Sequence, residues 1–309
     1  MLKKNYILLL IIFSCSWLVA GCTRSSLFLV NTMANLDDYT LIKNLPYKKG
    51  QLNTLDIYIP NIGKPQNNQL PVVIFFYGGC WGGCTTFDKN YYQFVGQAMT
   101  SKHFITVIGD YRRYPDVTFQ GIIQDSQQIV KWVKQNIAQY CGNPNHLFLM
   151  GHSSGAHLAA MLTVDKSRLD SETYQSIKGF IGLAGAYDFL PLTEPYQKTL
   201  FGPAEKYPES QPINFVTGSE PPVLLLHGHL DKTTLPENSI NLSKKIKQLG
   251  GSVRLKIYKD MNHTDILSAL ALPFQETETV LSDIGNFITE YSRSADRHEE
   301  KRKIISSQP

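Results

Sequence analysis

The chain has 309 residues, of which 42% are hydrophobic and 18% are charged, and its formal net charge is +4. This length and apolar content are sufficient for one sizeable core. Lys3 and Lys4 carry two of the positive charges, and the segment 292–309 carries a net two more. The rest of the chain is close to neutral, which argues against a nucleic-acid or polyanion partner.

The N-terminus has the pattern of an export signal. Lys3 and Lys4 precede an apolar stretch, 6–18, that is short for a membrane span. The next residues, Leu18-Val19-Ala20-Gly21-Cys22, resemble the lipobox of bacterial lipoproteins. This resemblance implies a signal peptide over 1–21, a lipid on Cys22 and an extracytoplasmic, membrane-anchored domain, at the outer membrane or periplasmic face of a Gram-negative cell. An ordinary secretory signal or an uncleaved anchor remains the alternative.

Apolar segments that predict β-strands alternate along the chain with amphipathic segments. The strands are expected at 55–59, 72–77, 104–108, 146–150, 179–184, 223–227 and 253–258. Apolar stripes at helical spacing predict helices around 122–137 and 280–288. This alternation is typical of an α/β protein, with a mostly parallel sheet covered by helices on both faces.

The sequence indicates one domain, over 46–291. We expect an anchor and N-terminal segment at 22–45 before it, and a disordered polar tail at 292–309 after it. The segment 186–220 has no clear strand or helix pattern and contains five prolines. Because loops of this length are usually functional, we predict that it forms a small lid.

The pentapeptide Gly151-His152-Ser153-Ser154-Gly155 lies between an apolar strand and a helix-forming run. In this setting the G-x-S-x-G spacing is typical of a nucleophile elbow, where glycines permit the sharp turn that exposes the serine. Ser153 is therefore the predicted nucleophile. A chance match is the alternative, and the flanking strand and helix count against it.

A nucleophilic serine needs a base and an acid that orients the base. Asp231 comes four residues after the strand 223–227, and His263 follows the strand 253–258. At these strand ends, Asp231 is predicted to orient His263, and His263 to take the proton of Ser153.

The glycine-rich turn at 77–81 directly follows a predicted central strand. Because glycine has no side chain, the backbone N–H groups of this turn are expected to face the substrate, as stabilisation of a tetrahedral oxyanion requires; a plain glycine-rich turn is the alternative. The N–H of Ser154 is expected to complete this oxyanion hole. Trp81 and Tyr187 are candidates for the substrate pocket, although core packing is the alternative for both.

Two other patterns involve possible ligands or cross-links. Cys80 and Cys84 are close enough in sequence for a disulfide, but their Cα separation cannot be read from the sequence. The segment 227–231, His-Gly-His-Leu-Asp, partly matches a zinc-binding pattern, but Lys232 stands where its last histidine is required. We therefore expect neither a metal nor a cofactor.

These motifs resemble the α/β-hydrolase superfamily, specifically its carboxylesterase group with a His-Gly-Gly-x-Trp motif. That group includes feruloyl and acetyl-xylan esterases, hormone-sensitive-lipase-like esterases and kynurenine formamidases. The likeness covers about 53–291 and includes the segments 55–58, 109–115, 125–132, 142–144, 151–155 and 262–265. It implies an α/β-hydrolase fold, oxyanion-hole amides from Gly79 and Cys80, and a triad of Ser153, Asp231 and His263. Tyr77 replaces the first histidine of the motif; because that side chain supports the loop, activity is expected to survive.

The expected function is hydrolysis of short-chain carboxylic esters by a serine carboxylesterase. The substrate is a small-molecule or glycan-linked acyl ester. An amide or formamide hydrolase with the same triad is the first alternative, because the triad dictates acyl transfer and the pocket sets the leaving group. A catalytically silent binding lipoprotein is the second.

Overall fold

The computed structural model describes residues 27–306, apart from 36, 51–52, 62–68, 85–86, 276 and 278; side chains are described as far as residue 295. The expected signal peptide and Cys22 lie outside these residues. Within the described part of the chain, no helix combines the length and the apolar character needed to cross a bilayer.

Eight strands form one sheet in the order β1-β2-β4-β3-β5-β6-β7-β8. They are β1 (Tyr39–Pro46), β2 (Thr54–Pro60), β3 (Leu70–Phe76), β4 (Ile105–Gly109), β5 (Gly142–His152), β6 (Ile177–Leu183), β7 (Val223–Gly228) and β8 (Val253–Tyr258). β2 pairs antiparallel with both β1 and β4, and all other neighbours are parallel. The mostly parallel sheet and its seven expected strands are confirmed, with small differences in their bounds.

The helices are α1 (27–34), α2 (Gln93–Thr100), α3 (Phe119–Asn136), α4 (Ser154–Val164), α5 (Ser171–Gln175), α6 (Pro195–Phe201), α7 (Glu237–Gln248), α8 (Asp265–Ser268) and α9 (Val280–Ser306). The apolar stripes predicted for α3 and α9 are buried. Every residue from His146 to His152 in β5 is buried as well, although successive side chains of a strand point to opposite faces. Helices therefore cover both faces of the sheet at its centre, as expected.

Two expected boundaries were wrong. β1 begins at Tyr39, so the sheet starts inside the segment 22–45 that we placed before the domain. A register shift between Ile42 and Leu45, with left-handed Asn44 between them, disrupts the alternation that would have revealed this strand. At the other end, α9 continues to Ser306 where we expected disorder. Residues 292–306 contain no Gly or Pro and are rich in Glu, Lys and Arg, which favour helix.

The predicted lid segment, 186–220, folds into elements that are too short to show a helical pattern of apolar residues. It contains α6 and two 3₁₀ turns, Ala204–Ser210 and Pro212–Phe215. Prolines stand at or just before the start of all three elements, where a missing N–H costs nothing.

Candidate active site

Ser153 occupies the turn between β5 and α4, with φ 55° and ψ −125°. A residue with a Cβ rarely adopts this conformation. The two glycines of the motif permit close backbone contacts: a Cβ on Gly155 would lie 2.0 Å from the carbonyl oxygen of Phe76, and one on Gly151 would lie 2.4 Å from that of Gly155. Backbone atoms cannot rotate away as a side chain can. The turn therefore has the geometry of a nucleophile elbow.

Asp231 and His263 are brought together by the turns that follow β7 and β8. His263 Nδ1 lies 2.7 Å from Asp231 Oδ2. The other carboxylate oxygen, Oδ1, accepts the backbone N–H groups of Thr233 and Thr234 at 2.8 and 2.9 Å. Burial alone would raise the pKa of Asp231, but the hydrogen bonds from His227 and His263 outweigh it and the pKa is lowered. Asp231 is thus held ionised beside the histidine.

His227 is a second histidine on the same carboxylate. Its Nε2 lies 3.1 Å from Asp231 Oδ2 and 2.7 Å from the carbonyl oxygen of Thr234. Both of these partners are acceptors, so Nε2 carries the proton and donates. Nδ1 is then free to accept from Ser239 Oγ, 2.8 Å away. Asp231 consequently accepts hydrogen bonds from four donors.

Sequence reasoning missed this role of His227. The available signal was the His-Gly pair that ends β7, which we weighed only as part of a zinc site. Among the residues that the structure describes, no group of three His, Cys, Asp or Glu side chains is arranged to hold a metal.

His152, next to Ser153 in the elbow, links this turn to the turn after β8 that holds His263. Its Nε2 donates to the carbonyl oxygen of His263 at 2.9 Å, and the two imidazole rings lie 4.8 Å apart between centroids. Burial, with a smaller contribution from His263, lowers the pKa of His152 to about 3, so this ring is neutral. The link places Ser153 and His263 at the same edge of the sheet. In the described structure Ser153 Oγ does not hydrogen bond to His263, and such contacts often tighten only when substrate binds.

The glycine-rich turn after β3 faces this elbow. A Cβ on Gly78 would lie 3.1 Å from Ser153 Cβ. Within the described chain, the backbone N–H groups of Gly79, Cys80 and Ser154 find no protein acceptor. Unpaired donors beside a serine are what an oxyanion hole requires.

The structure also answers the open question about the cysteines. Cys80 and Cys84 form a disulfide, with their Cα atoms 5.3 Å apart. Cys141 is a free, exposed cysteine.

Tyr77, which stands where the motif has histidine, is buried beneath the turn. Its hydroxyl donates to Asp110 Oδ1 at 2.9 Å, and its ring stacks on the rings of Tyr92 and Tyr111. Asp110 also accepts the backbone N–H of Lys89 at 2.9 Å. Tyr77 is therefore placed to support the turn from below, away from the elbow.

The two pocket candidates are both buried. Tyr187 has no exposed surface, and its hydroxyl oxygen lies 1.9 Å from where a Cβ on Gly182 would stand. For Tyr187 the structure shows the alternative, core packing, because the absence of a side chain at Gly182 leaves room for its ring. Trp81 is 5% exposed and packs against Phe189 and Phe201 of the lid segment.

The indole of Trp81 is fixed through a buried histidine. Trp81 Nε1 donates to His157 Nδ1 at 3.1 Å, and His157 Nε2 donates to the carbonyl oxygen of Ser210 at 2.7 Å. Burial lowers the pKa of His157 to about 4, so the ring is neutral and can serve as both acceptor and donor. His157 thus joins the glycine-rich turn to the lid segment.

Comparison with known proteins places this site in a family. The model of the BD-FAE family matches residues 55–246, which include the glycine-rich turn, the elbow and Asp231. The chain belongs to the BD-FAE family. This BD-FAE protein is 28% identical over 248 residues to the isoprenylcysteine alpha-carbonyl methylesterase of Arabidopsis thaliana, across 72% of this chain and 56% of that protein. It is 30% identical over 156 residues to the kynurenine formamidase of Danio rerio, across 50% of this chain and 49% of that protein.

The BD-FAE chain spans about half the length of these relatives. Its fold is similar to that of esterase B from Lactobacillus rhamnosis, with a TM-score of 0.72 and 18% identity, over 93% of this chain and 96% of that one. A truncated carbohydrate esterase from gut microbiota gives a TM-score of 0.66 at 20% identity, over 82% and 96%. The predicted α/β-hydrolase fold is confirmed.

Proposed function

We propose that this protein is a serine carboxylesterase that hydrolyses short-chain esters through an acyl-enzyme on Ser153. One observation carries the proposal: the elbow at Ser153, the hydrogen-bonded pair of His263 and Asp231, and three unpaired backbone N–H groups converge on one edge of the sheet. Its relatives named as methylesterase and esterase support the same class of reaction.

The hydrogen bonds define the proton path. His263 Nδ1 donates to Asp231, which leaves Nε2 as the base for the Ser153 hydroxyl. Ser153 Oγ attacks the ester carbonyl, and the oxyanion is stabilised by the N–H groups of Gly79, Cys80 and Ser154. The intermediate expels the alcohol, which takes the proton from His263. Water then repeats these steps on the acyl-enzyme and releases the acid.

The preference for short acyl chains follows from the packing around Trp81. Phe189 and Phe201 contact its indole, and its exposed fraction is only 5%. The space beside the glycine-rich turn is therefore filled by aromatic side chains. A long acyl chain would have to displace them.

A formamide or amide hydrolase is the second candidate. It is supported by the similarity to kynurenine formamidase, which covers half of this chain. The same groups attack either carbonyl, and the pocket decides the leaving group.

Membrane attachment through a lipid on Cys22 is a separate proposal, supported by the lipobox pattern of residues 18–22. We expect full-length protein to be processed and labelled by a fatty-acid probe in bacterial cells, and Cys22→Ala to be neither. Processing and labelling that persist in Cys22→Ala would contradict this anchor.

The catalytic proposal is tested with p-nitrophenyl esters from acetyl to palmitoyl, using the full-length chain extracted in detergent and its Ser153→Ala variant. We expect turnover that is highest for acetyl and butyryl esters and is lost in Ser153→Ala, and labelling of Ser153 by a fluorophosphonate. Strong labelling without ester turnover would favour the amide or formamide hydrolase, to be checked with an aryl formamide. No labelling of folded protein would contradict both and favour a binding lipoprotein.

A further inference from the structure

The glycine-rich turn and the residue after it have positive φ angles at four consecutive positions. The φ angles of Gly79, Cys80, Trp81 and Gly82 are 126°, 54°, 56° and 110°. Glycine tolerates positive φ, whereas Cys80 and Trp81 carry a Cβ that disfavours it. Such a conformation persists only where surrounding contacts enforce it.

Hydrogen bonds hold the two ends of this turn. At its start, Tyr111 Oη donates to the carbonyl oxygen of Tyr77 at 2.6 Å. At its far end, the carbonyl oxygen of Trp81 accepts the N–H of Tyr114 at 2.9 Å, and the indole is bonded to His157. These contacts fix Tyr77 and Trp81 but leave the peptide between Gly79 and Cys80 to other restraints.

The disulfide is attached directly next to that peptide, on the side chain of Cys80. Sγ of Cys80 is bonded to Sγ of Cys84, and the carbonyl oxygen of Gly79 accepts the N–H groups of Gly82 at 2.9 Å and Cys84 at 3.4 Å. Among the described residues, the disulfide is the side-chain link that restrains Cys80. The N–H of Cys80 itself is one of the unpaired donors beside Ser153.

We propose that the Cys80–Cys84 disulfide is a positioning element of the oxyanion hole, which keeps the N–H groups of Gly79 and Cys80 directed at the substrate oxygen. This inference rests on the function proposed above. A dithiol reductant opens the bond by supplying two electrons and two protons: two cysteine thiols form, and the reductant becomes its cyclic disulfide. Without the bond, Cys80 relaxes from positive φ and its N–H turns away from the elbow.

The test compares Cys84→Ser with Cys141→Ser, which removes the free, exposed cysteine elsewhere on the chain. Each full-length variant is assayed for kcat and KM on p-nitrophenyl butyrate. A trifluoromethyl ketone, whose serine adduct places an oxyanion in the hole, is assayed as inhibitor. In Cys84→Ser we expect kcat to fall about tenfold or more with KM little changed, because oxyanion contacts act mainly in the transition state. The affinity for the ketone falls by a similar factor, and Cys141→Ser behaves as wild type.

A second measurement covers the case in which Cys84→Ser folds poorly. Native wild-type enzyme is treated with dithiothreitol and then reoxidised, while circular dichroism follows its fold. We expect a reversible loss of kcat in folded enzyme, and no further loss when Cys84→Ser is treated. Unchanged kcat in folded, reduced enzyme, or a loss that only follows the unfolded fraction, would overturn the positioning role. Wild-type enzyme that neither turns over esters nor labels at Ser153 would instead contradict the proposed function.

Discussion

His263 Nδ1 and Asp231 Oδ2 are 2.7 Å apart, and Asp231 is only 2% exposed. An ionised carboxylate at this place fixes the ring of His263 and its tautomer. Asp231→Asn keeps the shape but offers an amide that stabilises the wrong tautomer. We expect kcat for p-nitrophenyl butyrate to fall roughly 10³–10⁴-fold. Asp116→Asn, at an exposed aspartate, is the control, and a loss in Asp231→Asn as small as in this control would exclude Asp231 as the triad acid.

His227 is fully buried and donates to the same carboxylate. We therefore expect its removal to lower the stability of the fold. His227→Phe leaves Asp231 with one donor fewer in a buried position, which we expect to lower the free energy of unfolding by about 1–3 kcal/mol. Ser239→Ala removes only the more distant hydrogen bond, to His227 Nδ1, and should cost less. Urea denaturation at neutral pH measures the free energy of unfolding of both variants. Equal stabilities of His227→Phe and wild type would contradict this support.

The buried neutral histidines predict how stability depends on pH. Burial lowers the pKa of His157 from 6.5 to about 4 and that of His152 to about 3. Between pH 6.5 and 4 the unfolded chain therefore binds more protons than the folded one, so stability falls as the pH falls through this range. Urea denaturation at several pH values should show this slope. His157→Gln, which cannot take up a proton, should make it shallower; an unchanged slope would mean that His157 does not contribute.

We expect two substitutions of Tyr77, beneath the glycine-rich turn, to lower stability by different amounts. Burial raises the pKa of Asp110, although hydrogen bonds from Lys89 and Tyr77 oppose the rise. Tyr77→Phe keeps the stacked ring but removes one donor, so we expect a loss of about 1–3 kcal/mol in the free energy of unfolding. Tyr77→His restores the residue of the family motif but loses ring stacking on Tyr92 and Tyr111, and should cost more.

Thermal or urea unfolding of both variants checks this order. Tyr140→Phe, in the 3₁₀ turn Ile137–Tyr140, is a matched control expected to remain close to wild type. If Tyr77→His were as stable as wild type, the stacked tyrosines would not be what holds the turn.

The sequence predicted the features that depend on local pattern. Continuous apolar runs identified the central strands, and the order of Ser153, Asp231 and His263 along the chain identified three strand ends that the parallel sheet brings to one edge. His227 and Ser239 could not be recognised as partners, because their contact depends on how α7 packs beside β7. The contact between His152 and His263 joins residues 111 positions apart. The sequence left Tyr187 undecided, because an aromatic residue after a strand fits a pocket or a core equally well.

The position of His157, between Trp81 and Ser210, restricts how the proposed preference for short acyl chains can change. One buried ring bonds both to the turn that holds the proposed oxyanion donors and to the segment that fills the space beside it. Substitutions at Phe189 or Phe201 made to widen the pocket will therefore also shift Trp81. The effects of substitutions in the lid segment and in the turn will not be additive. A variant selected for bulkier acyl groups is expected to carry paired changes in the turn and the lid segment rather than a single change in either.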